Sequence, residues 1–196
     1  METAATSLTS GDIIKLVLST GIFTALINQG ITWLKDWRKD KEINERMAQY
    51  SALRIAIDLE AFAISCAKAI SDSNFFSQTD GHAGSQHSKI PSLLEYPKDI
   101  DWRLIERSLC ERTLALRNEI ELCQGEIDFW YEIDYECIPS ACCEQTGTCG
   151  YRAWKLANDL RKFYKLSSFD PRQISWDIEA ILKDIHDKAL AKQKCD

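Results

Sequence analysis

Residues 16–34 read LVLSTGIFTALINQGITWL, nineteen in a row without a charge. A helix of about 20 apolar residues crosses the hydrocarbon core of a bilayer. With Ile13 and Ile14 the segment runs from 13 to 34, and Lys15 at its start has a stem long enough to bring its amine to the headgroups. Trp33 and Trp37 stand at the other end, at the level where aromatic belts form. Lys35, Arg38, Lys39, Lys41 and Arg46 follow, whereas the residues before the segment offer only Lys15 and the chain amine. By the positive-inside rule this predicts a single transmembrane helix in the cell membrane, N-terminus outside and residues 35–196 in the cytoplasm.

A polar stripe complicates a simple lipid-facing span. Thr20, Thr24, Asn28 and Thr32 recur every four residues and so share one helical face. Gly21 and Ala25, on its flank, form a small-xxx-small pair that lets two backbones approach closely. The stripe is either the wet side of an amphipathic helix in a soluble domain or a contact face inside the membrane. In the second reading Thr20, Gly21, Thr24 and Asn28 meet a partner helix or a second copy of the chain, with Asn28 hydrogen-bonding across the interface. A cleaved signal peptide fits poorly. The first twelve residues carry no Lys or Arg, and no small-x-small cleavage site follows in a favourable place.

Beyond Leu34 no Gly or Pro occurs until past residue 71, so a helix that begins in the membrane is expected to continue into the body over 35–71. Ile43, Met47, Tyr50, Ile57, Ala61, Ile64 and Ala67 recur at three- and four-residue spacing and mark its expected buried line. Glu60 lies near that line, where a carboxylate is either paired with an Arg or a functional acid. Residues 72–98, rich in Ser, Gly, Asp and Asn, read as a long polar loop. It contains Asp80, His82 and His87 in a spacing that matches no metal motif.

The remainder, 99–196, reads as a helical domain. Asp99 or Asp101 is the expected cap of a second helix, with a capping box at Ser108–Glu111 where it could restart. Its apolar positions run to about Tyr135, and Phe129-Trp130-Tyr131 is a packing centre or a docking patch. A third helix is expected from about Gly150 to Lys165, and a fourth from Asp170 as cap and Pro171 as first residue. No stretch alternates as a strand does. The expected fold is therefore all-α: a short tail (1–12), a transmembrane helix (13–34) and a small antiparallel bundle of about four helices.

Four of the eight cysteines, Cys137, Cys142, Cys143 and Cys149, lie in CIPSACCEQTGTCG, which Pro139, Gly147 and Gly150 mark as a loop over 137–149. Three states compete for them. Four thiolates could hold a structural zinc, although no Cys-x-x-Cys knuckle is present. A disulfide would need an oxidising compartment. Reduced thiols that pack or react suit the cytoplasm. Cys66, Cys110 and Cys123 fall in helical stretches and read as small packing residues.

A formal net charge of −6 argues against bulk nucleic-acid binding, which needs surplus Lys and Arg. No Walker loop, G-x-G-x-x-G, H-E-x-x-H or G-x-S-x-G is present, and three histidines leave few candidate bases. His186, between Asp184 and Asp187, reads as a surface residue. The expected role is a non-enzymatic interaction or assembly module whose partners are the lipid bilayer, through 13–34, and a second copy or another membrane helix. The alternative is a thiol- or zinc-dependent enzyme or redox sensor built on the cysteines of 137–149.

Overall fold

A computed structural model describes residues 10–133, 138–169 and 176–193, with the side chains of 10–26 and of Tyr131 outside that description. All regular structure among the described residues is helical. Helix α1 runs from Ser10 to Gln78, α2 from Arg107 to Ile133, α3 from Ile138 to Phe163 and α4 from Ile178 to Gln193, with a single 3-10 turn at Trp102–Leu104. The chain divides into two units, Met1–Arg46 and Met47–Asp196.

In the first unit α1 is helical from Ser10 onward, as the absence of breakers requires. Trp33 and Trp37 are exposed, as are Ile27, Ile31 and Leu34. The Thr32 hydroxyl donates to the Asn28 carbonyl at 2.9 Å, so this end of the polar stripe does share one face. The charged turns that follow are laced by (i, i+4) pairs, Arg46 on Glu42 at 2.6 Å among them. Among the described residues no helix is long and apolar enough to cross a membrane. The side chains of 10–26, the larger part of the uncharged segment, are not among them.

In the second unit the buried face of α1 matches the expected line at Ala67 and, in part, Ile64, and departs from it elsewhere. Met47, Tyr50 and Ile57 are exposed, as is Ile43 in the first unit. Ala52, Ile55, Ala56, Leu59, Phe62, Ala63, Cys66 and Ile70 form the core instead. The helix carries two apolar stripes, and the alanine-rich one is buried because small side chains let neighbouring helices come close. Glu60 belongs to this face.

Helix α1 ends where Asp80 adopts φ 50° and the Gly81 amide donates to the Phe76 carbonyl at 2.9 Å. This is a Schellman cap, which satisfies a carbonyl the last turn would leave bare. Asp80 thus serves the helix end. Helix α3 closes the same way, with Lys165 at φ 55° and the Leu166 amide on the Arg161 carbonyl at 2.8 Å. The connection from 79 to 106 is tied down along its length. Ile90, Ile100 and Ile105 are buried, the Ile90 amide donates to Gln124 Oε1 at 2.9 Å, and Tyr96 donates to the Thr113 carbonyl at 3.1 Å. Asp101 caps the 3-10 turn rather than α2. The cap of α2 is Glu106, whose carboxylate accepts from the Leu109 amide at 2.9 Å, so Ser108 sits inside the first turn.

Helix α3 starts twelve residues earlier than its sequence suggests, and the expected loop over 137–149 is helix from Ile138 on. Pro139 is tolerated because the first turn has no intrahelical use for its amide. Gly147 and Gly150 are packing positions. A Cβ on Gly147 would lie 2.4 Å from Ile185 Cγ2, and one on Gly150 would lie 2.7 Å from Cys66 Cβ and 2.8 Å from Leu182 Cδ2. Helix α4 is capped by Asp177, which accepts from the Ala180 amide at 3.0 Å. The expected start at Asp170 and Pro171 lies outside the described residues.

Helices α2 and α3 run antiparallel in a fixed register. Arg112 meets Asp159 at 2.8 Å, Glu119 meets Arg152 at 2.9 Å and Glu126 accepts from Gln145 at 2.7 Å. On both helices these residues step by seven, close to two turns, so one polar ladder runs along the seam. At the far end of α3, Arg161 donates to both oxygens of Glu60, at 2.5 and 2.8 Å, and to the Ser167 carbonyl at 2.7 Å. Glu60 is therefore the arginine-paired carboxylate the sequence allowed, and the pair joins α1 to α3.

Candidate functional site

Among the described residues the cysteines of 138–149 do not converge as a metal centre would need. Successive residues of a helix point about 100° apart and rise about 1.5 Å each. Cys142 is buried, its sulfur 3.8 Å from the Thr146 hydroxyl, while adjacent Cys143 is only half-buried. Cys149 is on the same face as Cys142 but two turns on, about 10 Å along the axis. Thiolates sharing a zinc each lie about 2.3 Å from it. Among the described residues no three His, Cys, Asp or Glu side chains are placed to hold a metal ion. Cys137 lies outside the described residues. Asp72 and Ser85 face His87.

Cys143 opens on a cleft of about 440 Å³, walled by Ser73 and Ser77 of α1, Glu144 of α3, and Asp184, Lys188 and Lys192 of α4. Each ammonium there is already held by a carboxylate, Lys188 by Asp184 at 2.6 Å and Lys192 by Glu144 at 2.7 Å. The wall therefore offers balanced ion pairs and hydroxyls rather than a surplus of either charge. Burial pushes the Cys143 thiol up from its ordinary range. A neutral thiol is a poor nucleophile.

Deeper in the unit, burial likewise raises Cys66 and Cys142. Cys123 behaves differently. It sits half-buried on α2, with the Cys149 thiol of α3 as its neighbour across the seam. That neighbour, helped by the nearby Arg152 cation, holds Cys123 below the usual thiol range. The proximity of Cys123, with burial, holds Cys149 above it. One sulfur is thus favoured as thiolate and the other as neutral thiol. In the sequence Cys123 reads as a packing residue, because its partner is 26 positions away on another helix.

His186 is not the surface residue its acidic neighbours suggest. Its ring lies 4.9 Å from that of Tyr151, tilted by 34°, and its Nδ1 is buried without a hydrogen-bond partner among the described residues. Burial, followed by Arg152, lowers its pKa. Of the expected membrane-contact residues, Thr20, Gly21 and Thr24 lie in helical backbone whose side chains are outside the description, and Asn28 is exposed. The aromatic run on α2 is at least partly open to solvent. Phe129 is exposed and meets Trp130 edge to face at 6.0 Å, with Leu122 and Ile133 exposed on the same helix.

Compared with protein-family models, curated proteins and solved structures, the chain matches none of them. Function is therefore argued from its own residues.

Proposed function

We propose that this chain is a membrane-anchored helical interaction module. Residues 13–34 form the anchor in the bilayer, and the helical body lies on the cytoplasmic face, where it binds a partner or a second copy. The carrying observation is the uncharged segment 16–34, set in a helix without a break, with Trp33 near its end and Trp37 and the cations from Lys35 to Arg46 after it. Trp33 and Trp37 are 69% and 53% exposed, a costly arrangement in water and a natural one at a headgroup interface. The stripe of Thr20, Gly21, Thr24 and Asn28 supports association with another helix inside the membrane. Leu122, Phe129 and Ile133, exposed on α2, give the body apolar surface for a partner.

Alkaline carbonate extraction of membranes tests the anchor. The full chain is expected in the pellet, and a chain starting at Lys35 in the supernatant. Release of the full chain by carbonate would refute the reading. Crosslinking tests the stripe: dimer from the wild type and much less from Asn28→Leu supports it, and monomer from both removes it.

A further inference from the structure

We infer that Cys123 and Cys149 form a redox-active dithiol, which a hydroperoxide converts to a disulfide joining α2 to α3. The register of the two helices carries this. Glu119 meets Arg152 at 2.9 Å, and Glu126 accepts from Gln145 at 2.7 Å. Cys123 comes four residues after Glu119 and three before Glu126, and Cys149 comes three before Arg152 and four after Gln145. The two thiols therefore face each other across the seam, bracketed on both sides by bonds that fix the helices. Neither is tied up in a disulfide.

The two positions differ in the way a peroxide-reactive pair needs. Cys123 is half-buried, so a small solute can reach it, whereas Cys149 is fully buried. The neighbouring Cys149 thiol and the Arg152 guanidinium favour the thiolate at Cys123, the form that attacks. The other described thiols, Cys66, Cys142, Cys143 and Cys110, are each raised by burial. Each is held more firmly as the neutral thiol than Cys123 is.

The chemistry closes without further reagents. The Cys123 thiolate attacks one oxygen of the hydroperoxide, the O–O bond breaks, and the departing oxygen leaves as water or alcohol after taking a proton. Cys123 is then a sulfenic acid. The Cys149 sulfur attacks the Cys123 sulfur, the S–O bond breaks, and hydroxide leaves as water with the Cys149 proton. Two thiols lose two electrons in total, and the peroxide gains them.

The test uses the full chain, reduced and desalted, then treated with stoichiometric hydrogen peroxide. Non-reducing digestion and mass spectrometry are expected to give one dominant crosslink, Cys123 to Cys149, reversed by dithiothreitol. In Cys149→Ser the sulfenic acid at Cys123 should persist and be trapped by dimedone. Circular dichroism matching the wild type shows that this variant is folded, and the wild-type peptide map decides the question if it is not. Recovery of Cys123 and Cys149 as free, alkylatable thiols after peroxide overturns the inference. So does a map in which Cys123 pairs with another cysteine.

Discussion

Two glycine-to-alanine substitutions of identical chemistry should move stability in opposite directions. Gly125 lies exposed on α2, and a Cβ there meets nothing within 4 Å. Alanine in a helix interior is favoured over glycine by about 0.5–1 kcal/mol, so Gly125→Ala stabilises by that amount. Gly150→Ala makes the same propensity gain on α3 but places its Cβ 2.7 Å from Cys66 Cβ and 2.8 Å from Leu182 Cδ2. The first of those atoms is fixed to the backbone of α1, so relief means moving a helix rather than turning a side chain. Overpacking of this kind costs about 1–3 kcal/mol. With contacts on two sides the upper end applies, and the net effect is a loss of about 2 kcal/mol. At roughly 2–4 °C per kcal/mol for a chain of this size, Gly125→Ala raises the melting temperature by about 2–3 °C. Gly150→Ala lowers it by about 4–8 °C. Thermal melts followed by circular dichroism, both variants in one mild detergent, measure the pair. A neutral or stabilising Gly150→Ala would show that α3 does not approach α1 and α4 so closely. The helical packing of 138–150 would then fall with it.

Arg161→Met leaves the Glu60 carboxylate buried without its partner and should cost about 3–5 kcal/mol in denaturant melts. Adding Glu60→Met should restore most of that loss, and a double variant no more stable than the single one would refute the pairing. His186 contributes a pH dependence. Its folded pKa is held below the ordinary 6.5, so the unfolded chain takes the proton first as pH falls. Stability is complete above pH 6.5 and is lost as pH drops through the folded value. As pH falls below 6.5 the wild type should lose stability that His186→Phe keeps, and equal slopes would count against the buried ring. If the Cys123–Cys149 disulfide forms, it closes a loop of about 26 residues and should raise unfolding free energy by about 3 kcal/mol over the reduced chain. Identical denaturation midpoints for oxidised and reduced protein would contradict that.

Much of the fold was legible because it follows from local periodicity. The unbroken helix through 31–71, the all-helical body and an arginine partner for Glu60 all follow from spacing and the cost of a buried charge. Three features were not, each for a physical reason. In CIPSACCEQTGTCG the Pro and Gly residues signal a loop by composition, yet Pro139 occupies a first turn and Gly147 and Gly150 make room for Ile185 and Cys66. Which apolar stripe of α1 is buried depends on partners far along the chain. The exposed Ile43–Met47–Tyr50–Ile57 line is as regular as the buried one. The thiol pair depends on how α2 slides against α3, set by the Arg112, Glu119 and Glu126 contacts that no single segment contains.

The anchor at residues 13–34 is tested most directly by fusing two reporters in turn to the C-terminus, one active only in the cytoplasm and one only outside. The proposal predicts a membrane-bound fusion in which the cytoplasmic reporter alone is active. A fusion found in the soluble fraction, or one in which only the external reporter is active, would contradict it.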